Sequence, residues 1–338
     1  METLVAVWNR WKVWWLSALA GALLGCAFRF LFATTVGDAE SAVYTMTLAF
    51  LVVVPSVMGY LSVEWYLNSR PDKAKSVWNW VFLPWVSVFI SMAVAVAVKW
   101  EGYACLVFAA PIMLFFALIG GITGRVAWAR TRKRAGTNLF VSALPIIVLI
   151  VESHLPAPWE TRTVQTEIPI HAPVAVVWDN IKSVRAIGPG ELGEAWVTRI
   201  GFPKPVAATL SHDGVGGVRQ ASFTGGLLFT ETVDAWEPGK ILRFSIRANT
   251  DSLPAATLDE HVKVGGAFFD VLEGEYTMEQ TPGGVLLHLA SRERLSTHFN
   301  LYAGLWSDAV MRSIQEQILE VIRNRSERQA EQFRISLR

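Results

Sequence analysis

Four stretches of nearly uncharged apolar residues, at about 13–33, 43–62, 78–98 and 104–123, constrain this chain more than any other feature. Each is long enough to cross the roughly 30 Å hydrocarbon core of a bilayer as one helix. A fifth run, 138–152, is shorter and carries Pro145. Residues 1–153 are therefore expected to form a membrane domain of five spans. Charge sets its orientation. Arg10 and Lys12, then Arg70, Lys73 and Lys75, then Arg125, Arg130, Arg132, Lys133 and Arg134 fall in alternate connecting segments. The segments between them, 34–42 and 99–103, hold only Lys99. Basic loops stay on the cytoplasmic side, which places the N-terminus in the cytoplasm. Five crossings put everything after residue 152 outside. A fifth segment lying in the interface would leave it in the cytoplasm instead.

The net charge of +1 hides two different environments. Residues 1–151 sum to +6 and residues 152–338 to −5. The basic cluster at 130–134 lies between apolar runs, so it reads as a membrane loop and no nucleic-acid partner is expected. Cys26 and Cys105 both sit inside apolar runs and have neither disulfide nor metal spacing. No metal and no cofactor are expected. Ser17, Gly21 and Gly25 present small residues at helix-packing spacing, for packing within the bundle or for a homo-oligomer through the membrane helices. Arg29, near the outer end of the first span, is expected to snorkel toward the headgroups.

After a stiff linker at 154–161 the periodicity changes. Arg162 to Ile170 alternates as a strand does, and Pro173 opens a helix through Val177, Trp178 and Ile181. Six strands follow near 205–211, 217–224, 227–236, 240–248, 267–280 and 284–294. Turns at Asp213-Gly214, Gly225-Gly226, Glu237-Pro238-Gly239 and Pro282-Gly283-Gly284 separate most of them. One long amphipathic helix spans 298–329, and 331–338 is read as a charged tail. The fold class expected is a membrane all-α helical bundle followed by an α+β helix-grip domain, an antiparallel curved sheet wrapped on a long C-terminal helix. Such a sheet needs one face covered, and the space between sheet and helix suits an apolar ligand.

Several motifs fall in a telling order. They are Ile168-Pro169-Ile170-His171-Ala172-Pro173 leading to Val177-Trp178-Asp179, then Gly214-x-Gly216-Gly217-x-Arg219, and then Glu231-x-Val233. Glu237-Pro238-Gly239-Lys240 with Leu242-x-Phe244 comes next, followed by a helix from Tyr302 and Trp306 to Ile322-x-x-Arg325. In these features residues 162–330 resemble the START/Bet v 1-like superfamily, also called SRPBCC, which includes polyketide cyclase-like and lipid-transport-like domains. The resemblance implies a helix-grip fold with a cavity for a lipid or other hydrophobic small molecule. It implies no single chemistry, because the relatives include binders, transfer proteins and enzymes.

The residues expected around the cavity are Phe229, Glu231, Phe244, Tyr276, Tyr302 and Trp306, with His261 in a possible lid at 249–266. Glu231 shares the apolar face of its strand with Leu227, Phe229, Val233 and Ala235. It is either a general acid/base or the partner of Arg219 or Gln220 on the next strand. Asp270 shares parity with Tyr276 and Met278 but sits near the start of its strand, where exposure to solvent is expected, and Asn300 or a neighbouring polar residue is placed to cap the last helix. The chain contains no HExxH, GxSxG or phosphate-binding loop. Three readings result: a membrane-anchored binder of an apolar molecule, an enzyme of cyclase or dehydratase type acting on one, or a non-catalytic assembly or regulatory protein.

Overall fold

The apolar runs form long helices. In the computed structural model, which describes residues 2–34, 46–131, 135–188, 190–249 and 264–336, the chain divides into two units at Ala157/Pro158. The first unit contains α1 (Glu2–Thr34), a π-helical turn (Ala49–Val53) continuing into α2 (Val54–Ser69), α3 (Val77–Ala97), α4 (Tyr103–Thr131) and α5 (Ala135–Ser153). Four stretches, Trp11–Phe32, Ala49–Ser69, Val77–Ala97 and Tyr103–Arg130, are long and apolar enough to cross a membrane. The second of these extends seven residues beyond its expected end, because Glu64, Trp65, Tyr66 and Asn68 continue the helix. The apolar part of α5, Asn138–Ser153, is shorter.

Glycine lets the helix backbones touch. A methyl group on Gly120 would lie 1.9 Å from the Ser56 carbonyl oxygen, and one on Gly59 would lie 2.1 Å from that of Ala117. Gly124 approaches the Tyr60 carbonyl in the same way, at 2.6 Å. The Gly120-x-x-x-Gly124 pair of α4 thus locks onto α2. The Ser17, Gly21, Gly25 row packs inside the bundle as well: Gly21 faces Ser87 of α3 and Gly25 faces Met58 of α2. Arg29 departs from expectation. It pairs with Glu101 at 2.6 Å and donates to the Trp100 carbonyl at 3.0 Å, because the α3–α4 connection brings an acid within its reach.

Both ends of α5 are fixed along α2. At its C-terminal end, the buried Glu152 carboxylate accepts the backbone N–H groups of Leu48 at 2.8 Å and Ala49 at 2.9 Å. These donors open the helical run into α2 and have no partner inside their own helix. At the other end, the Asn138 amide hydrogen-bonds Glu64, near the far end of α2. α5 therefore runs antiparallel to α2 over most of its length.

The second unit contains β1 (Trp159–Ile170), α6 (Val174–Lys182), the short α7 (Trp196–Arg199), β2 (Pro205–Leu210), β3 (Val218–Phe223), β4 (Leu228–Glu237), β5 (Ile241–Asn249), β6 (Phe269–Thr281), β7 (Gly284–Ser296) and α8 (Asn300–Ser336). The seven strands make one sheet in the order β1-β7-β6-β5-β4-β3-β2. β2 to β7 form a meander, and β1 closes it by pairing with β7 from Trp159↔Ser296 to Ile170↔Val285. Gly214, at φ +115°, makes the turn before β3. β1 begins three residues before its expected start, and α8 continues through most of the expected tail.

Two β-bulges change which side chains face inward. The irregularity between Val233 and Ala235 puts Trp236, not Ala235, against the core, where its ring meets Trp178 at 5.1 Å. The one between Val271 and Glu273 removes Asp270 from the Tyr276 face, so Asp270 pairs in register with Arg294 on the opposite side. The core joins Ile168, Ile170, Leu242, Phe244, Tyr276 and Leu287 of the sheet to Leu319 and Ile322 of α8. The stripe that α8 buries, Gly304, Met311, Gln315, Leu319, Ile322, Ser326 and Ala330, keeps helical spacing but includes small and polar residues.

Gly120→Val should lower the stability of the detergent-solubilised chain by at least about 2 kcal/mol, because backbone blocks the new side chain. Gly25→Ala should cost less, since the nearest atoms it meets are the flexible end of the Met58 side chain. Thermal unfolding monitored by Trp fluorescence compares the two.

Candidate ligand site

An ion pair is buried on the concave face of the sheet. Arg219 of β3 and Glu231 of β4 stand directly opposite each other in register. Cross-strand partners point to the same side of a sheet, so both side chains turn inward, and both are buried. The Arg219 Nη1 donates to Glu231 Oε2. The same guanidinium hydrogen-bonds the Tyr276 hydroxyl and lies over the Phe244 ring at 5.2 Å. The Phe244 ring in turn occupies the space left by Gly274 of β6, where a Cβ would come within 2.5 Å of it. Phe244 and Tyr276 meet with ring centroids 6.2 Å apart. Burial pushes the Glu231 carboxyl up, and the Arg219 charge opposes that rise.

Four of the expected cavity residues thus lie on one inward face. Glu231, Phe244 and Tyr276 meet through Arg219. Phe229 lies two residues along β4, in a cluster with Ala208, Ala221 and Leu227 that Phe223, Ile246 and Ala248 border. Tyr302 and Trp306, on the first turns of α8, form a half-buried aromatic group with Trp196. His261 lies outside the described residues. Asn300 works as a tie at the start of α8: its Oδ1 accepts from Thr297, and its Nδ2 donates to the Pro158 carbonyl at 2.7 Å. Arg219 itself has one unused function. Its buried Nε–H has no hydrogen-bond partner among the described residues.

A second polar group sits under the N-terminal half of α8. Arg162 of β1 reaches Asp308 with two hydrogen bonds, at 2.9 and 2.6 Å, across the open side of Gly304. Gln315 joins the Val164 carbonyl, Ser291 and Thr166. Glu293 of β7 is fully buried; one oxygen accepts from Ser307, and the other has no partner among the described residues. Burial raises its carboxyl from 4.5 to about 7. The parity argument applied to Glu231 also marks Glu293 in the sequence, since it follows Val285, Leu287, Leu289 and Ser291 at every second position.

Comparison with known proteins found no matching family model and no matching curated protein. Solved structures resemble part of the chain at low identity. An uncharacterised protein from Rhizobium leguminosarum is 14% identical over 52% of this chain and 99% of its own, with a TM-score of 0.32. The di-domain ARO/CYC StfQ from the steffimycin biosynthetic pathway is 9% identical over 58% of this chain and 60% of its own, also at 0.32. DynU16, from the dynemicin biosynthetic locus, is 20% identical over 45% and 46%, at 0.23. The helix-grip fold is read from the strand order and from the position of α8 in this chain.

Arg219→Ala should destabilise the chain by about 3–5 kcal/mol by leaving Glu231 buried without its counter-charge. Arg219→Met combined with Glu231→Leu should recover most of that loss in chemical denaturation. Glu293 gives a pH signature. Between pH 4.5 and about 7 the unfolded carboxyl loses its proton while the folded one keeps it. Folding stability therefore falls as pH rises through that window. Glu293→Gln should raise the melting temperature more at pH 8 than at pH 5.

Proposed function

We propose that this chain is a membrane-anchored binding protein whose helix-grip domain holds a lipid or other hydrophobic small molecule between sheet and α8. The observation that carries the reading is the apolar part of the concave face around Phe229 and Phe244, where the buried Arg219 keeps an unused N–H. An apolar wall favours an apolar ligand, and a few placed polar groups fix its orientation. Arg219 selects a ligand with an acceptor, a carbonyl or a carboxylate, at that point. Phe223, Ile246, Phe269 and Met311 extend the apolar surface toward the start of α8. Anchoring rests on the four long apolar helices.

We further propose that the domain lies on the extracytoplasmic side. Support comes from α5, whose Asn138 end lies beside Glu64 and whose Glu152 end meets the start of the second span. A helix that follows α2 in this way crosses with it and leaves the membrane opposite the basic loops. A single cysteine at Leu155, in a chain lacking Cys26 and Cys105, should react with a membrane-impermeant maleimide in intact cells. One at Ala74 should not. The reverse pattern would place the domain in the cytoplasm.

The binding reading is tested by inserting a protease site into the linker, cleaving the purified chain, and extracting residues 158–338 for mass spectrometry. A near-stoichiometric apolar molecule bearing an acceptor group is expected, and the Arg219→Met/Glu231→Leu chain should lose it. A folded, empty domain that takes up no apolar fluorescent probe would sink the reading in favour of an assembly role.

A further inference from the structure

The helical unit contains a cleft of about 310 Å³ whose lining includes Gly21 and Leu24 of α1, Leu61, Glu64 and Asn68 of α2, and Asn138 of α5. Glu64 is an acid inside an apolar span, little more than one turn from the end of α2. Ionisable groups at such positions are costly and commonly serve a function. Its carboxyl hydrogen-bonds the side chains of Asn68 and Asn138. Among the described residues no Lys, Arg or His pairs with it. The Asn138 Oδ1 is buried without a hydrogen-bond partner among the described residues.

The unused capacity at the Glu64 carboxylate is all of one kind. A carboxylate offers about four lone-pair positions, and two amides fill only part of them. What remains are acceptors around one negative charge, beside the apolar walls of Leu24 and Leu61. The complement is a compact cation with several N–H donors, attached to a hydrocarbon chain. A quaternary ammonium has no N–H to give, and an anionic head would meet Glu64 with like charge. We propose that this cleft binds the primary ammonium head of a membrane amphiphile, with Glu64 supplying the counter-charge and Asn68 and Asn138 holding its carboxylate in place. Two sources share that chemistry, an ethanolamine phospholipid of the bilayer and a free long-chain amine.

Native mass spectrometry of the full chain in detergent tests this. The chain is titrated with phosphatidylethanolamine, with phosphatidylcholine of the same acyl chains, with hexadecylamine and with hexadecanol. The wild-type chain should bind the ethanolamine lipid about tenfold more tightly than the choline lipid, in line with a hydrogen-bonded charge pair. Glu64→Gln should abolish the preference while eluting like wild type in size exclusion. A preference for hexadecylamine over hexadecanol, with none between the two phospholipids, would support the proposal and identify a free amine as the source. Equal binding of both phospholipids together with equal binding of amine and alcohol by the wild-type chain would overturn it, whatever the variant does.

Discussion

Removing a carboxylate from water costs several kcal/mol unless its charge or its lone pairs are met inside the protein. Four glutamates away from bulk water meet that demand in four ways. Glu152 binds the free N–H groups at the start of the second span and so holds α5 along the bundle. Glu231 takes a counter-ion, Arg219, and joins β3 to β4 on the concave face. Glu64 takes two amides beside a cleft. Glu293 holds its proton longer than an exposed acid does. Each solution positions the elements that supply it, so these polar contacts specify arrangements that apolar packing alone would leave degenerate.

The concave face follows from topology as much as from these contacts. Pairing β1 with β7 brings the start of the domain to the strand that precedes α8. The Asn300 amide then ties the first turn of α8 to Pro158. From that point the helix is held over β1 and β7, by Arg162 and Gln315 in its N-terminal half and by Leu319 and Ile322 farther along. β3, β4 and β5 form the opposite wall, with Arg219 and Phe244 on it.

Much of this architecture is legible in the sequence because local signals set it. Apolar length gives the long helices, alternation gives the strands, and Gly-containing turns such as Asp213-Gly214 separate them. The inward position of Glu231 follows from alternation alone, and Arg219 was available as its partner one strand away. Features that depend on a single extra residue or on distant neighbours are not legible. The bulges at Val233/Ala235 and Val271/Glu273 reset parity, which turned Asp270 away from Tyr276. Arg29 found Glu101 through a loop, and Glu152 found the start of another helix more than a hundred residues earlier in the chain. The Gly120-x-x-x-Gly124 spacing and the parity of Glu293 were readable by rules applied elsewhere in the same chain.

In the proposed function the concave face holds an apolar molecule anchored at Arg219. A high-resolution structure of the domain as released from native membranes tests it most directly. Elongated density is expected between α8 and the β3–β5 wall, with an acceptor atom within about 3 Å of the Arg219 Nε. Side chains packed continuously across that space, with water or another side chain on the Arg219 Nε, would contradict it.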